Sequence, residues 1–381
     1  MDIPHGRTWL LDGALPEQMP LAEQQEAFLA AGADTLRLPA GLVPETDEQL
    51  EQYRLLLADA RKRAGDRPIG GRLRSAETPE NIRDLSFAER VRLYTNQADD
   101  LRRAGVDYYF VESDSSLTDI RASVLACRRM GLPVLAGVSV NDEGITPSGT
   151  TALTCLIVLQ ELGISAFGVE SDRSPEQMRP LFEELASFAK VPLGAKPAAC
   201  RAADDETPAR ALTPEEFAEE YTALFRCGVT VAGGCAGVTP DYFEALRKAM
   251  DRFDFDTVNV EKNTRELILT SVHETFCYDL DMLEFSPTVH PLGDLTDEFV
   301  EIEDETSYDI ISVQVDTLDD AFAFAENDHM AELPVSFLSS NALALSTALL
   351  LYSGRAMVDA RSELEPEKLQ QIADKYGAVV Y

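Results

Sequence analysis

The residues best suited to chemistry in this sequence are its cysteines, and one of them stands apart. The chain of 381 residues has six cysteines and four histidines, with no CxxC pair and no metal-type histidine spacing. Cys235 lies in the glycine-rich stretch VAGGCAGVTP, which ends at Pro240. As a thiolate, a cysteine binds metal ions and attacks substrates. The alternative is that Cys235 is a small residue in a tight turn, and that most cysteines are reduced core residues.

A repeated pattern of elements precedes Cys235 and must position it. Helical stretches end at a glycine and lead into a short apolar run, as around Gly32, Gly105, Gly163 and Gly228. Such runs are typical of strands that are buried on both faces. The eight candidate strands are residues 8–14, 34–40, 68–74, 108–113, 133–140, 166–171, 192–198 and 229–234. Amphipathic stretches between them, such as 175–190, predict the intervening helices.

Eight strand–helix units within about 250 residues are typical of a (β/α)8 barrel. The sequence therefore predicts an α/β protein whose first domain, residues 1–252, is a TIM barrel. A doubly wound open sheet is the structural alternative. Function in a barrel belongs at the C-terminal ends of the strands. In this sequence those ends carry Asp12, Glu112, Ser113, Asn141, Asp142, residues 170–172 and Cys235.

The remainder of the chain, residues 253–381, has a different character. An acidic linker leads into four further candidate strands, residues 309–315, 333–340, 355–361 and 377–381. Four units cannot close a barrel, because open edges would remain. We therefore predict a smaller α/β domain that is like half a barrel. It must pack on the first domain, pair with a second copy or be completed by another chain.

The charge of the chain limits its partners and its location. A formal net charge of −34 repels nucleic-acid phosphates and anionic lipid headgroups, which argues against nucleic acid or membrane as a partner. The longest apolar runs, such as 342–351, are too short to span a bilayer. The N-terminus lacks the basic and apolar regions of a secretion signal. The expected location is the cytoplasm.

Several stretches resemble one family in the same order along the chain. GGCAGVTPDYFEALRK, from Gly233, resembles the GGCCGTTP signature that closes the homocysteine S-methyltransferase domain. LLDGA, AGADTL, AGVDYYFVES, VSVNDEGITPSGT and LGISAFGVESDRSPEQMRPLFEEL resemble earlier parts of that domain. Residues 332–381 are similar to the pterin-binding barrel of cobalamin-dependent methionine synthase, YDIISVQVD resembles the first strand of that barrel, and the resemblance stops about halfway through it. The resemblance implies a TIM barrel that transfers a methyl group to a thiol such as homocysteine.

The resemblance also implies a zinc ion held by three cysteine thiolates, which binds the substrate sulfur and lowers its pKa. This sequence keeps one of the three ligands, Cys235. Ser171 and Ala236 stand where the other two would be. A single thiolate is a poor zinc site, so the sequence predicts a degenerate one.

Substrate contacts are implied by resemblance at two places. Asp12, Gly13 and Ala14 match the first-strand turn that contacts the amino acid, and Glu112 matches the residue that holds the substrate ammonium group. A carboxylate at a strand end is also often a loop or helix cap. Leu338 stands where the folate half of the family has an aspartate. We therefore expect no independent folate or cobalamin site.

Three hypotheses of function stay open. The first is methyl transfer to homocysteine or a related thiol through Cys235, with Glu170, Asp172 and Cys200 as candidates for a mixed oxygen–sulfur metal site. The second is a non-catalytic binding or assembly protein, whose open half-barrel docks a second copy or a partner methyltransferase subunit. The third is a different chemistry on the same barrel, in which Glu112, Glu170 and Asp172 handle a cation.

Overall fold

The structure is a computed structural model that describes residues 9–11, 20–75, 85–113, 116–203, 208–235, 237–305 and 307–381. The chain divides into two compact units. The first comprises Met1–Ser148 with Gly163–Lys262, and the second comprises Gly149–Leu162 with Asn263–Tyr381.

The first unit is built on an eight-stranded parallel sheet. Its strands are β1 (Trp9–Leu10), β2 (Leu36–Leu38), β3 (Ile69–Arg72), β4 (Tyr108–Ser113), β5 (Val134–Ser139), β6 (Ala166–Glu170), β7 (Leu193–Lys196) and β8 (Val229–Ala232). Neighbours follow the order β1-β8-β7-β6-β5-β4-β3-β2. The Leu10 amide donates to Asp34 Oδ2 (2.8 Å), and the Asp34 amide donates to the Leu10 carbonyl (2.9 Å). These bonds bring the two sheet ends together, and the predicted barrel is confirmed.

Five of the seven described helices of the first unit begin after a serine or threonine whose side chain caps the helix, while α1 and α8 lack such a bond. They are α1 (Leu21–Ala30), α2 (Asp47–Ala64), α3 (Phe87–Ala104), α4 (Leu117–Arg128), α6 (Pro175–Phe188), α7 (Pro214–Arg226) and α8 (Pro240–Arg252). At the start of α6, Ser174 and Gln177 form a capping box and Pro175 occupies the first turn. Two 3-10 turns (Ala40–Leu42, Phe255–Thr257) and a short antiparallel pair (Cys200–Arg201, Arg210–Ala211) complete the unit.

A row of glycines shapes the interior of the barrel. Gly137 on β5 pairs with Gly168 on β6, which pairs with Gly194 on β7. All three line a small internal cavity together with Glu112 and Lys196. Because glycine has no side chain, this part of the inner wall leaves space for long side chains from other strands. The row is therefore what allows charged groups from β4 and β7 to meet inside the barrel.

The second unit contains a smaller parallel sheet, as predicted. A hairpin of β9 (Leu267–Thr270) and β10 (Thr275–Tyr278) precedes the parallel strands β11 (Ile311–Gln314), β12 (Val335–Leu338), β13 (Met357–Val358) and β14 (Val379–Val380). The order of the parallel strands is β11-β12-β13-β14. Its helices are α5 (Ala152–Glu161), α9 (Thr296–Asp304), α10 (Leu318–Asn327), α11 (Ala342–Leu351) and α12 (Pro366–Tyr376), with 3-10 turns at Leu280–Met282 and Asp328–Met330.

Helix α5 follows β5 in the chain but groups with the second unit. Thr154 Oγ1 lies 3.0 Å from Thr275 Oγ1 on β10, and the Thr151 amide donates to the His273 carbonyl (3.0 Å). Residues 152–160 are all buried, which suits a helix that is apolar around its whole circumference.

Within the described ranges, however, no helix combines the length and the hydrophobicity needed to cross a membrane.

The Gly70→Ala substitution is expected to destabilise the barrel. A Cβ atom at Gly70 would lie 2.5 Å from Tyr108 Cε2 and 2.8 Å from its hydroxyl oxygen, and Tyr108 is fully buried. Overpacking of this kind costs about 1–3 kcal/mol. Urea unfolding measures the change, and Gly41→Ala is the control because nothing lies within 4 Å of a Cβ there. Equal stability of the two variants would contradict the prediction.

Candidate functional site

Glu112 is the central group at the barrel mouth, the face formed by the C-terminal ends of the eight strands. Its side chain is 4% exposed, and both of its carboxylate oxygens are engaged by cations of the chain. Lys196 Nζ on β7 lies 2.5 Å from Oε1, and an Arg72 guanidinium nitrogen on β3 lies 2.8 Å from Oε2. The carboxylate therefore balances two positive charges in a buried place.

Further charged groups surround this ion pair. Lys196 also forms a salt bridge with Glu170 on β6, the residue with which it pairs across the sheet. The Arg37 guanidinium lies 4.3 Å from the centre of the Phe110 ring, and Lys196 Nζ lies 5.9 Å from it. Such cation–π contacts stabilise a cation over an aromatic face.

We call Arg37, Arg72, Glu112, Glu170 and Lys196 the mouth cluster. It contains three cations and two carboxylates, which gives a net charge of +1 when all five are ionised.

The two carboxylates of the mouth cluster differ in their affinity for a proton. Burial raises the pKa of Glu112, but the charges of Lys196, Arg72 and Arg37 outweigh burial and hold that pKa well below its usual range. Burial and the neighbouring charge of Glu112 raise the pKa of Glu170, although Lys196 opposes them. Glu112 is therefore the fixed anion, and Glu170 is the better proton acceptor.

Cys235 lies just beyond β8, beside the end of β7. Its amide donates to the Pro197 carbonyl (3.1 Å), while the Ser171 amide donates to the Lys196 carbonyl (3.3 Å). Tyr221 on α7 joins the two strand ends, because its hydroxyl donates to the Ala195 carbonyl (2.6 Å) and accepts from the Gly233 amide (3.1 Å). The ends of β6, β7 and β8 are thus fixed next to one another.

The thiol of Cys235 is not activated. Burial raises its pKa to about 11, and the negative charge of Glu170 adds to the rise while Lys196 opposes it. At neutral pH the group is a thiol, whereas the thiolate is the form that binds metals and attacks substrates.

The structure brings together some of the residues chosen from the sequence. Glu112, Glu170, Ser171 and Cys235 lie at the barrel mouth, and Asp172 contributes to the electrostatic field at the Cys235 thiol. Cys200 lies instead in the short antiparallel pair. Asp12, Gly13, Ala14 and Ala236 lie outside the described residues. The roles assigned to these residues in substrate or metal binding stay predictions.

The donor set at the mouth does not fit the zinc site that the resemblance implies. In the part of the chain that the structure describes, no three His, Cys, Asp or Glu side chains are grouped to hold a metal ion. Ser171 offers a neutral hydroxyl, which accepts a hydrogen bond from the Arg173 amide (3.4 Å), and Cys235 offers a protonated thiol. Zinc displaces the proton of a cysteine ligand, whereas a serine hydroxyl stays protonated, so of these two groups Cys235 alone can supply a thiolate.

Sequence reasoning missed Lys196, Arg72 and Arg37. A signal for them was present, because the candidate strands LAGVS, AFGVE and LGAK each carry a glycine, and Lys196 follows the last glycine by two residues. Side chains two positions apart on a strand share a face. The pattern therefore predicts that Lys196 lies on the same inward face as the glycine row. The pattern does not predict which residue forms a salt bridge with Lys196.

One family model matches more than half of the chain. The sequence model of the family "Homocysteine S-methyltransferase" matches residues 33–250. Methionine synthase of Mycobacterium leprae (strain TN) is 28% identical over 176 residues, which cover 43% of this chain and 14% of that protein. Methionine synthase of Mycobacterium tuberculosis (strain ATCC 25618 / H37Rv) is 28% identical over 168 residues, which cover 41% of this chain and 14% of that protein. The chain thus matches about a seventh of the length of these relatives.

Among solved structures, the apo form of the homocysteine methyltransferase MmuM from Escherichia coli is similar, with a TM-score of 0.49 and 17% sequence identity. The match covers 64% of this chain and 95% of that one.

Replacing Lys196 is expected to lower the free energy of unfolding, and the effect should depend on whether Glu112 is present. Lys196→Met should lower the free energy of unfolding by about 3 kcal/mol, because two carboxylates lose a shared partner in a buried place. The loss in the double variant with Glu112→Gln should fall short of the summed single losses by about 1 kcal/mol or more. Denaturant unfolding measures the cycle, with Lys248→Met at an exposed helical pair as the control. Additive losses would refute the coupling.

Zinc content tests the degenerate site directly. We expect protein that has been supplied with zinc and dialysed to retain less than about 0.1 zinc per chain, because the thiolate ligands are lacking. Ser171→Cys combined with Ala236→Cys should raise the content towards one per chain, and adding Cys235→Ser should remove the gain. Inductively coupled plasma mass spectrometry provides the measurement. Stoichiometric zinc in the unaltered protein would overturn the prediction.

Proposed function

Because the chain belongs to the homocysteine S-methyltransferase family, we propose that it transfers a methyl group to a homocysteine-like thiol at the barrel mouth. The observation that carries the proposal is the family match over residues 33–250. That range contains every residue of the mouth cluster as well as Cys235. In barrel enzymes the reacting groups lie at this face.

The proposed reaction does not use a zinc ion, so the protein itself must take the thiol proton. Glu170 is the group suited to this role, since its raised pKa makes it a stronger base than an ordinary carboxylate. Lys196 lies beside it and supports the negative charge that develops on sulfur. A base next to a cation lowers the free energy that is required to deprotonate the substrate thiol.

The transfer step then follows from ordinary substitution chemistry. The substrate S–H bond gives its proton to the Glu170 carboxylate, and its electron pair stays on sulfur. That sulfur forms a new bond to the methyl carbon of an electrophilic donor. We propose that the donor is a methylsulfonium compound. The old carbon–sulfur bond breaks at the same time, and its electron pair leaves with a neutral sulfide. Positive charge is lost from the donor, and Glu170 releases its proton to solvent.

A second candidate is a non-catalytic binding or assembly protein, and one set of observations favours it. Both oxygens of Glu112 are already engaged, and the Cys235 thiol is not activated. In the second unit, α10 exposes Phe322 (51%) and α11 exposes Leu343 (61%), which are apolar side chains that a partner would cover. The partner would be a second copy or a methyltransferase subunit. A strictly monomeric chain in light scattering would count against assembly. A cytoplasmic location stays a prediction for either candidate.

Methyl transfer is tested by assaying homocysteine methylation with a methylsulfonium, a methylated corrinoid or N5-methyltetrahydrofolate as donor. Glu170→Gln is expected to reduce kcat by about 100-fold, because it removes the base. Glu244→Gln is the matched control, since Glu244 is exposed on α8 and pairs with Lys248.

No turnover by the unaltered protein with any of the three donors would refute methyl transfer and leave the binding protein as the better account. Turnover that Glu170→Gln does not slow would refute the role of Glu170 as base.

A further inference from the structure

We infer that the outer surface of α10 and α11 binds an amphipathic helix of another protein, whose apolar stripe is flanked by lysine and arginine. We call Leu318, Phe322, Leu343 and Thr347 the α10–α11 patch. The patch belongs to the second unit, whereas the mouth cluster belongs to the first. The inference therefore holds whether or not the chain transfers methyl groups. It goes beyond the assembly hypothesis, because it specifies the chemistry of the partner.

The first step of the argument is the exposure of the patch. Leu343 is 61% exposed, Phe322 is 51% exposed and Leu318 is 40% exposed. Thr347 donates its hydroxyl to the Leu343 carbonyl (2.8 Å), so it adds no unpaired polar group to this surface. The sequence of α11, ALALSTALLL, has no charged residue, although charged residues make up 26% of the chain. A helix that is apolar around its whole circumference is normally covered on all sides, so the exposed face of α11 indicates a partner.

The second step is the position of the patch on α10. Leu318 and Phe322 are four residues apart, which places them in one stripe on the helix surface. Asn327 lies on the opposite side, because it is about two and a half turns from Leu318. Its side chain donates to the Gly293 carbonyl (3.0 Å) and accepts from the Leu295 amide (3.2 Å). The stripe is therefore turned away from Asn327 and towards α11, against which α10 packs.

The third step is the position of the patch on α11, which packs against α10 and against α12. Ser346 Oγ lies 3.0 Å from the Tyr376 hydroxyl oxygen, and this contact marks the side of α11 that faces α12. Thr347 lies about 100° further around the helix, on the outer side next to α10, and Leu343 is in the same stripe. The stripes of α10 and α11 thus form one apolar surface. A groove between two neighbouring helices accepts the side chains of a third.

The fourth step is the charge around the patch. Residues 266–354 contain aspartate and glutamate throughout, but no lysine or arginine. Asp319 and Glu326 are exposed on α10, and within the described ranges neither forms an ion pair. Helix α9, with the sequence TDEFVEIED, adds further acidic side chains, and its Phe299 ring lies 6.4 Å from the Phe324 ring of α10. A partner that provides lysine or arginine beside its apolar stripe complements both features of this surface.

A second copy of the chain and a membrane both fit this surface less well. A second copy would place one acidic surface against another, and like charges across an interface weaken association. Anionic lipid headgroups would be repelled for the same reason. An amphipathic helix presents apolar side chains three and four residues apart, which matches the spacing within the α10–α11 patch.

Fluorescence anisotropy of the full chain with three labelled peptides tests the inference. Two are amphipathic helices of about 18 residues with the same leucine stripe, which lysine flanks in one and glutamate in the other. The third has the composition of the lysine peptide in a scrambled order that removes the stripe. We expect the lysine peptide to bind about tenfold or more tightly than either of the others.

Matched variants distinguish the patch from the general charge of the chain. Phe322→Glu and Leu343→Glu should each weaken binding of the lysine peptide about tenfold or more. Leu55→Glu is the control and should not weaken binding, since Leu55 is 72% exposed on α2 of the first unit. Each substitution adds one negative charge, so attraction by net charge alone would make binding tighter in all three variants. Circular dichroism establishes that each variant is folded, and either patch variant by itself decides the question.

The role of the acidic side chains has its own pair of variants. Asp319→Asn combined with Glu326→Gln should weaken binding of the lysine peptide about threefold or more. Glu23→Gln combined with Glu26→Gln removes the same charge from exposed positions of α1 and should leave binding unchanged.

Equal binding of the three peptides, or no binding by any of them, would overturn the inference. Equal effects of Leu343→Glu and Leu55→Glu would overturn it as well. A chain that is dimeric in light scattering and becomes monomeric with Leu343→Glu would assign the patch to a second copy and would also overturn it. Because the readout is peptide binding, a protein that binds the lysine peptide but methylates no thiol would refute the proposed reaction while the docking surface held.

Discussion

The salt bridge between Lys196 and Glu112 crosses the inside of the barrel from β7 to β4, and the mouth depends on it. Two strands separate the residues in the sheet, so the side chains meet only because Gly137, Gly168 and Gly194 leave the intervening wall bare. Once formed, the pair sets the ionisation of its neighbours. Glu112 is held as an anion, Glu170 shares the same lysine, and the charges of Glu170 and Lys196 reach the thiol of Cys235.

This arrangement differs in charge from the zinc site that the resemblance implies. A three-thiolate zinc site concentrates negative charge at the strand ends and needs a compensating dication. Here the strand ends carry the cations Lys196 and Arg72, and Ser171 stands at one of the positions to which the resemblance assigns a thiolate.

The second unit has a hydrophobic core of its own. Rings of Phe324, Phe337 and Tyr352 pack at centroid distances of 5.1–5.9 Å beneath the four-stranded sheet. Helix α5 belongs to this unit although its neighbours in the chain are barrel strands, and it is buried around its whole circumference. The unit therefore includes a segment that lies between β5 and β6 in the chain.

The sequence by itself determined the strands of both sheets, because buried parallel strands are short apolar runs and helices here end at glycine or begin at a cap. It also determined that a serine and an alanine stand at two positions to which the resemblance assigns thiolates, since residue identity needs no coordinates. Only the tertiary structure decided that Lys196 reaches Glu112, that the three glycines lie in register, and that Gly149–Leu162 joins the second unit. These contacts join residues far apart in the chain. They depend on strand register and on the direction of each side chain, and local patterns of hydrophobicity carry neither.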